Sequence, residues 1–133
     1  MATLKYSKQR ASIKEYLMHT KEHPTADTVY LHIKEEFPHI SLGTVYRNLN
    51  LLTDTGDIIK ISTPNGGDRF DGCTKPHYHI VCSTCGEVYD LELGEEHFRG
   101  LNHLAAQHFD GAIDSHSVLF YGTCPECMGK KSD

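Results

Sequence analysis

Apolar positions in the first half of the chain recur at helical spacing, and polar caps and prolines mark where each run begins and ends. Ser7 is placed to cap a first helix carrying Ile13, Tyr16 and Leu17, because its hydroxyl can accept from the unpaired N–H groups of a first turn. His23-Pro24 interrupts the chain, and Thr25 then caps a second helix with Val29, Tyr30, Ile33 and Phe37 along one side, ending at Pro38. Ser41 caps a third, in which Leu42, Val45, Leu49 and Leu52 form an apolar stripe. Its opposite face presents Gly43, Thr44, Tyr46, Arg47 and Asn50. Hydroxyl, aromatic, guanidinium and amide groups suit phosphates and base edges, although a plain solvated face has the same pattern. After Gly56 the residues 57–62 read as a strand, Thr63-Pro-Asn65-Gly66-Gly67 as a turn, and Arg69-Phe70-Asp71 as the returning strand. Three helices followed by a hairpin is the order of a winged helix-turn-helix, whose last helix enters the major groove.

The second half reads as α+β. Residues 77–82 and 87–91 form strands, and an amphipathic helix over 95–110 carries Phe98, Leu101, Leu104, Ala105 and Phe109, with Gly111 as its stop. A third strand over 118–121 leads to Cys124. A small sheet with one helix leaves apolar surface exposed, and pairing with a second copy is the usual way to cover it. A homodimer would also set two recognition helices against a two-fold symmetric, palindromic duplex. The expected organisation is a winged-helix DNA-binding domain over 1–67 and a small metal-binding, dimerising α/β domain over 68–133.

Charge changes this picture only locally. The 133 residues carry a formal net charge of −5, which excludes a generally basic nucleic-acid coat. The imbalance is uneven: residues 1–62 hold 8 Lys/Arg against 7 Asp/Glu, and residues 63–133 hold 5 against 11. The first half can therefore present a basic face while the second is acidic. No secretory leader and no membrane-spanning apolar run is evident, so a cytoplasmic, reducing setting is expected.

The chemistry concentrates in residues 71–90, DGCTKPHYHIVCSTCGEVYD. Cys82 and Cys85 have the spacing of a zinc knuckle, and Gly86 lets the chain turn back. A second Cys-x-x-Cys, Cys124 and Cys127, follows after 38 intervening residues. Four thiolates in two such pairs make a closed, structural zinc site, and a reducing compartment favours metal over disulfides. His77 and His79 alternate on a strand and so share a face. If Val81 pairs with Val88 across the knuckle, His79 faces Asp90, whereas a one-residue slip would turn Asp90 away. With Asp71 nearby, histidines and carboxylates without sulfur suit Fe(II), Mn(II) or Zn(II). Glu92 shares the strand face of Asp90 and could supplement it. Two histidines and a carboxylate with open positions would also suit a non-haem Fe(II) oxygenase, but a chain of this size offers little room for a substrate pocket.

In their order along the chain, His23-Pro-Thr-Ala-Asp27, Thr44-Val-Tyr46-Arg-Asn-Leu49, Arg69-Phe-Asp71, His77-Tyr-His79, Cys82-x-x-Cys85-Gly86, Tyr121-Gly122 and the last Cys pair resemble the ferric uptake regulator family of bacterial metal-dependent repressors. The chain is most similar to the peroxide-responsive branch, which has Asp at the positions of Asp71 and Asp90 and Tyr at that of Tyr78. The resemblance implies a regulatory Fe(II) or Mn(II) site of His23, Asp71, His77, His79 and Asp90, beside structural Zn(II) on Cys82, Cys85, Cys124 and Cys127. It implies that peroxide acting with Fe(II) oxidises His23 or His77 and releases operator DNA, so that the protein is a sensor and not an enzyme. It adds His23, which no spacing singles out. Relatives often place a further helix ahead of the one capped by Ser7, where this sequence has six residues. Cys73 stands outside the zinc quartet as a loop thiol; because zinc-uptake relatives use a Cys ligand at the position of Asp71, it keeps a zinc-sensing uptake regulator as an alternative, beside an iron-sensing one.

Overall fold

The computed structural model describes residues 7–64, 67–75 and 77–130. The expected Asn65-Gly66 turn tip, the six residues ahead of Ser7 and the final three residues lie outside the described ones. The chain divides into two compact units, 1–74 and 75–133. The division falls after Thr74 rather than after residue 67, because the strand that follows residue 66 is committed by its hydrogen bonds to the first unit.

In the first unit, helices α1 (Lys8–His19), α2 (Ala26–Ile33) and α3 (Leu42–Asp54) precede strands β1 (Ile59–Thr63) and β2 (Gly67–Asp71). All three caps form as expected. The N–H groups of Arg10, Thr28 and Thr44 donate to the hydroxyls of Ser7 (3.2 Å), Thr25 (3.3 Å) and Ser41 (3.1 Å). The antiparallel hairpin pairs Ile59 with Asp71 and Thr63 with Gly67. Ile13, Leu17, Val29, Ile33, Val45, Leu49 and Phe70 form the core, so each helix and the hairpin contribute a buried face.

Two details differ from the sequence pattern. Helix α2 stops at Ile33 instead of running to Phe37. The chain continues in turns, with Phe37 N–H donating to the Ile33 carbonyl (2.9 Å), and this returns Phe37 to the core without helix. Leu42 is 37 % exposed, and the buried face of α3 is Val45, Asn48, Leu49 and Leu52. A helical side chain leans toward the N-terminus, so that of the first residue projects ahead of the helix.

In the second unit, β3 (Tyr78–Cys82) is the central strand, flanked by β4 (Val88–Leu91) and β5 (Leu119–Gly122). It pairs antiparallel with β4 and parallel with β5. No residue of β3 is exposed. Between β4 and β5 lies α4 (Glu95–Ala106), and a short helix, α5 (Pro125–Lys130), closes the unit. Helix α4 ends four residues before the expected stop at 110, in turns closed by Gln107 and His108 N–H groups. Its apolar side stays open, with Leu101 40 %, Leu104 53 % and nearby Phe109 57 % exposed. No described helix is long and apolar enough to cross a membrane.

Candidate metal centres and the exposed face of helix α3

The four-cysteine cluster is built by strand pairing. The β3–β4 knuckle carries Cys82 and Cys85, with Gly86 at φ +81° to reverse the chain. Parallel pairing sets Gly122 of β5 beside Cys82, and Ser83 N–H donates to the Gly122 carbonyl at 2.7 Å. Cys124 then sits at the start of α5, so Cys127 falls one turn later. The sulfurs lie within 4.8 Å of one another, and Cys85 Sγ is 3.8 Å from Cys124 Sγ. A tetrahedron with Zn–S bonds of about 2.3 Å has edges of about 3.8 Å. All five cysteines are free thiols. The donor set and its spacing fit zinc, and no pair of these sulfurs is bonded as a disulfide.

The thiols are electrostatically unequal. Backbone N–H groups of Cys124 (3.3 Å) and Cys85 (3.5 Å) donate to Cys82 Sγ and hold that thiol down, at about 5. The Cys127 N–H lowers Cys124. Cys127 itself is pushed up to about 12 by its bond to Cys124 and by desolvation. Cys85 is drawn down by the Glu87 N–H, but desolvation and the Cys82 and Cys124 sulfurs outweigh it and raise the thiol. Tyr89, whose hydroxyl donates to Cys124, is likewise raised to about 12.

The nitrogen and oxygen donors occur in both units. In the first, His23 Nε2 lies 3.4 Å from Asp71 Oδ2, with both side chains buried. The other Asp71 oxygen accepts from the Cys73 N–H at 2.9 Å. Cys73 is exposed. His23 has φ +50°, the only positive φ of a non-glycine among the described residues. Such a conformation is costly for a side chain with a Cβ. Arg69 donates to the His23 carbonyl (3.2 Å), and Phe70 N–H to that of Pro24 (3.0 Å), so β2 holds the bend. No local pattern marks Arg69 for this task; the backbone angle of His23 reveals it.

In the second unit the register is the expected one, with Val81 opposite Val88 and His79 opposite Asp90. Nε2 of His77 (3.0 Å) and Nε2 of His79 (3.3 Å) converge on Asp90 Oδ1. His77 Nδ1 lies 2.6 Å from the Lys75 carbonyl. A carbonyl only accepts, so Nδ1 carries a proton, and Nε2 is the nitrogen turned toward Asp90, where a metal would take the place of any proton shared with the carboxylate. Tyr78 points to the other side of the strand, where its hydroxyl meets His116 Nε2 (2.6 Å), and His116 Nδ1 meets Asn102 Oδ1 (2.7 Å). Both nitrogens of His116 are thereby engaged. Glu92 is exposed.

On α3, Gly43, Tyr46, Arg47 and Asn50 are exposed and Thr44 is half-buried. The Arg47 guanidinium donates to Thr44 Oγ1 at 3.1 Å. Lys60 of β1 donates to Asn50 Oδ1 at 3.3 Å, adding a cation that the periodicity of α3 could not reveal.

A model of the ferric uptake regulator family matches residues 1–121. Among similar proteins, the peroxide-responsive repressor PerR of Staphylococcus aureus (strain Mu50) is 34 % identical over 129 residues, covering 97 % of this chain and 86 % of its own. The Campylobacter jejuni peroxide stress regulator superposes with a TM-score of 0.81 at 32 % identity, over 90 % of this chain and 88 % of its own. The Helicobacter pylori ferric uptake regulator Fur, described as having three functional metal-binding sites, gives 0.81 at 27 %, over 97 % and 85 %.

Proposed function

Because the chain belongs to the ferric uptake regulator family, we propose that it is a metal-dependent transcriptional repressor that binds a palindromic operator as a homodimer and releases it on exposure to hydrogen peroxide. It is a regulator and not an enzyme, which sets aside the oxygenase reading of the same donors. We assign Zn(II) to Cys82, Cys85, Cys124 and Cys127, and a regulatory Fe(II) or Mn(II) to His23, Asp71, His77, His79 and Asp90. Thr44, Tyr46, Arg47 and Asn50 are assigned to the DNA contact, in a cytoplasmic setting that keeps the thiols reduced.

The observation that carries the peroxide reading is the regulatory donor set. It offers imidazole and carboxylate only, with Asp at both 71 and 90, and such donors suit Fe(II) and Mn(II) better than sulfur-rich ones do. A ferrous ion, when bound, supplies the electron that turns hydrogen peroxide into an oxidant able to add oxygen to an imidazole. The protein supplies the rest. Nδ1–H of His77 is anchored on the Lys75 carbonyl, which orients its ring, and Arg69 fixes the backbone of His23. Those are the two rings assigned to be oxidised. An oxygenated ring is a poorer ligand, so the metal-bound form loses its advantage. Metal shifts the DNA-binding equilibrium only by its differential affinity for the competent form.

The test selects an operator from random duplexes with Mn(II)-loaded protein. Binding is then measured for Fe(II)- and Mn(II)-loaded samples before and after dilute peroxide, with oxygen excluded. Loss with Fe(II) alone, together with one added oxygen on His23 or His77 by peptide mass spectrometry, is expected. Binding that survives peroxide and follows iron or zinc concentration supports the uptake-regulator alternative, of which the exposed Cys73 beside Asp71 favours the zinc-sensing form. Oxidation confined to Cys73 would make that thiol the sensor.

A further inference from the structure

We propose that the four-cysteine centre has one point of chemical attack, the Cys85 sulfur, and that thiol-reactive electrophiles and hydroperoxides modify the centre there first. The inference rests on zinc being held by the four sulfurs, and it is independent of the histidine–aspartate site. Cys82, Cys124 and Cys127 are buried, at 2 %, 6 % and 3 % exposure, whereas Cys85 is exposed at the tip of the β3–β4 knuckle. Cys82 lies at the end of the central strand, none of whose residues is exposed, and receives two backbone N–H groups. A thiolate attacks a peroxide oxygen or a maleimide carbon only if the reagent can reach the sulfur, and burial denies that approach to three of the four. Reactivity of a thiolate follows its access as much as its charge.

The chemistry that follows is closed within the cluster. The Cys85 thiolate forms an S–O bond with hydrogen peroxide as the O–O bond breaks, so that sulfur loses two electrons and hydroxide leaves. A second thiolate then attacks the Cys85 sulfur, forming S–S and expelling a second hydroxide. Cys124 Sγ stands ready at 3.8 Å. Two thiolates and one peroxide thus give one disulfide and two hydroxides, and the two remaining thiolates no longer close a tetrahedral site. A soft electrophile such as a maleimide reaches the same sulfur by addition, without a redox step. Zinc release and loosening of β5 and α5, which the staple ties to β3, are the consequence.

The experiment uses the wild-type chain, zinc content verified at one per chain, with no iron present so that histidine chemistry does not contribute. N-ethylmaleimide is added in limiting amount, zinc release is followed with a chromophoric chelator, and labelled cysteines are ordered in time by peptide mass spectrometry. Cys73, exposed and outside the cluster, serves as the internal standard for a free thiol. Expected is labelling of Cys85 about tenfold faster than of Cys82, Cys124 or Cys127, with zinc released at the Cys85 rate. In the peroxide arm the first disulfide contains Cys85. Zinc-loaded protein in which the four sulfurs react together, or in which a buried one reacts first, overturns the point of attack alone. Protein purified without zinc, with all four reacting alike, overturns the zinc assignment as well.

Discussion

His23 shows what a single residue can store. Its φ of +50° costs on the order of 1–3 kcal/mol, and Arg69 holds it in place from β2. The zinc cysteines carry a different kind of stored energy, in protons. Cys127 is raised to about 12 and Cys85 lies above the ordinary thiol range, so both are protonated near neutrality, while Cys82 near 5 is already a thiolate. Zinc must displace at least the first two protons. Because metal competes with protons for those sulfurs, affinity falls as pH falls. The apparent zinc dissociation constant should rise by about 100-fold per pH unit on acidification from pH 8 to pH 6. Chelator competition across that range checks it, and a slope of one proton or none would contradict this inventory.

Among the elements, the junction of β2 with α1 leaves no room for a side chain at Gly72. A Cβ on Gly72 would lie 2.5 Å from the Leu17 carbonyl carbon and oxygen and 2.6 Å from the Met18 nitrogen, all backbone atoms that cannot swing aside. Gly72→Ala should therefore push the end of β2 from α1 and cost about 1–3 kcal/mol. Asp71 precedes this glycine, so Mn(II) affinity should also drop severalfold. Urea unfolding and Mn(II) titration check both; normal stability with the substitution would mean that the hairpin end yields freely. The N-caps Ser7, Thr25 and Ser41, the antiparallel register and the Cys-x-x-Cys turns were legible because each depends on neighbours a few residues apart. Helix ends were not. Helices α2 and α4 stop short of their apolar patterns because turns satisfy the last carbonyls earlier, and α5 is announced only by Pro125-Glu126 at its start.

For the whole molecule, the open side of α4 is the feature that a single chain leaves unfinished. Leu101, Leu104 and Phe109 are each at least 40 % exposed, and the homodimer proposed above, which a palindromic operator would call for, would cover them with a second copy. Leu104→Glu should convert the dimer to a monomer and weaken operator binding by about 100-fold, while leaving one zinc per chain. Sedimentation and DNA titration test it; an intact dimer would move the interface elsewhere on this unit. The −5 net charge excluded a basic coat from the start, so the proposed DNA contact falls to the local face of α3, with Lys60 beside Asn50.

By itself the sequence determined the chemical inventory: two Cys-x-x-Cys pairs, a His-x-His pair on one strand face with Asp90 in the following strand, capped helices in winged-helix order and a family-wide motif series. These follow from composition and short-range periodicity, which the backbone obeys locally. Only the tertiary structure decided that β5 runs parallel to β3 and so delivers Cys124 to Cys82, that Cys85 alone of the four sulfurs is exposed, that His23 takes a left-handed backbone under Arg69, and that Lys60 reaches Asn50. Each of these depends on segments distant in the chain meeting in space, and burial and long-range hydrogen bonds are set by that meeting, with no local pattern to announce them.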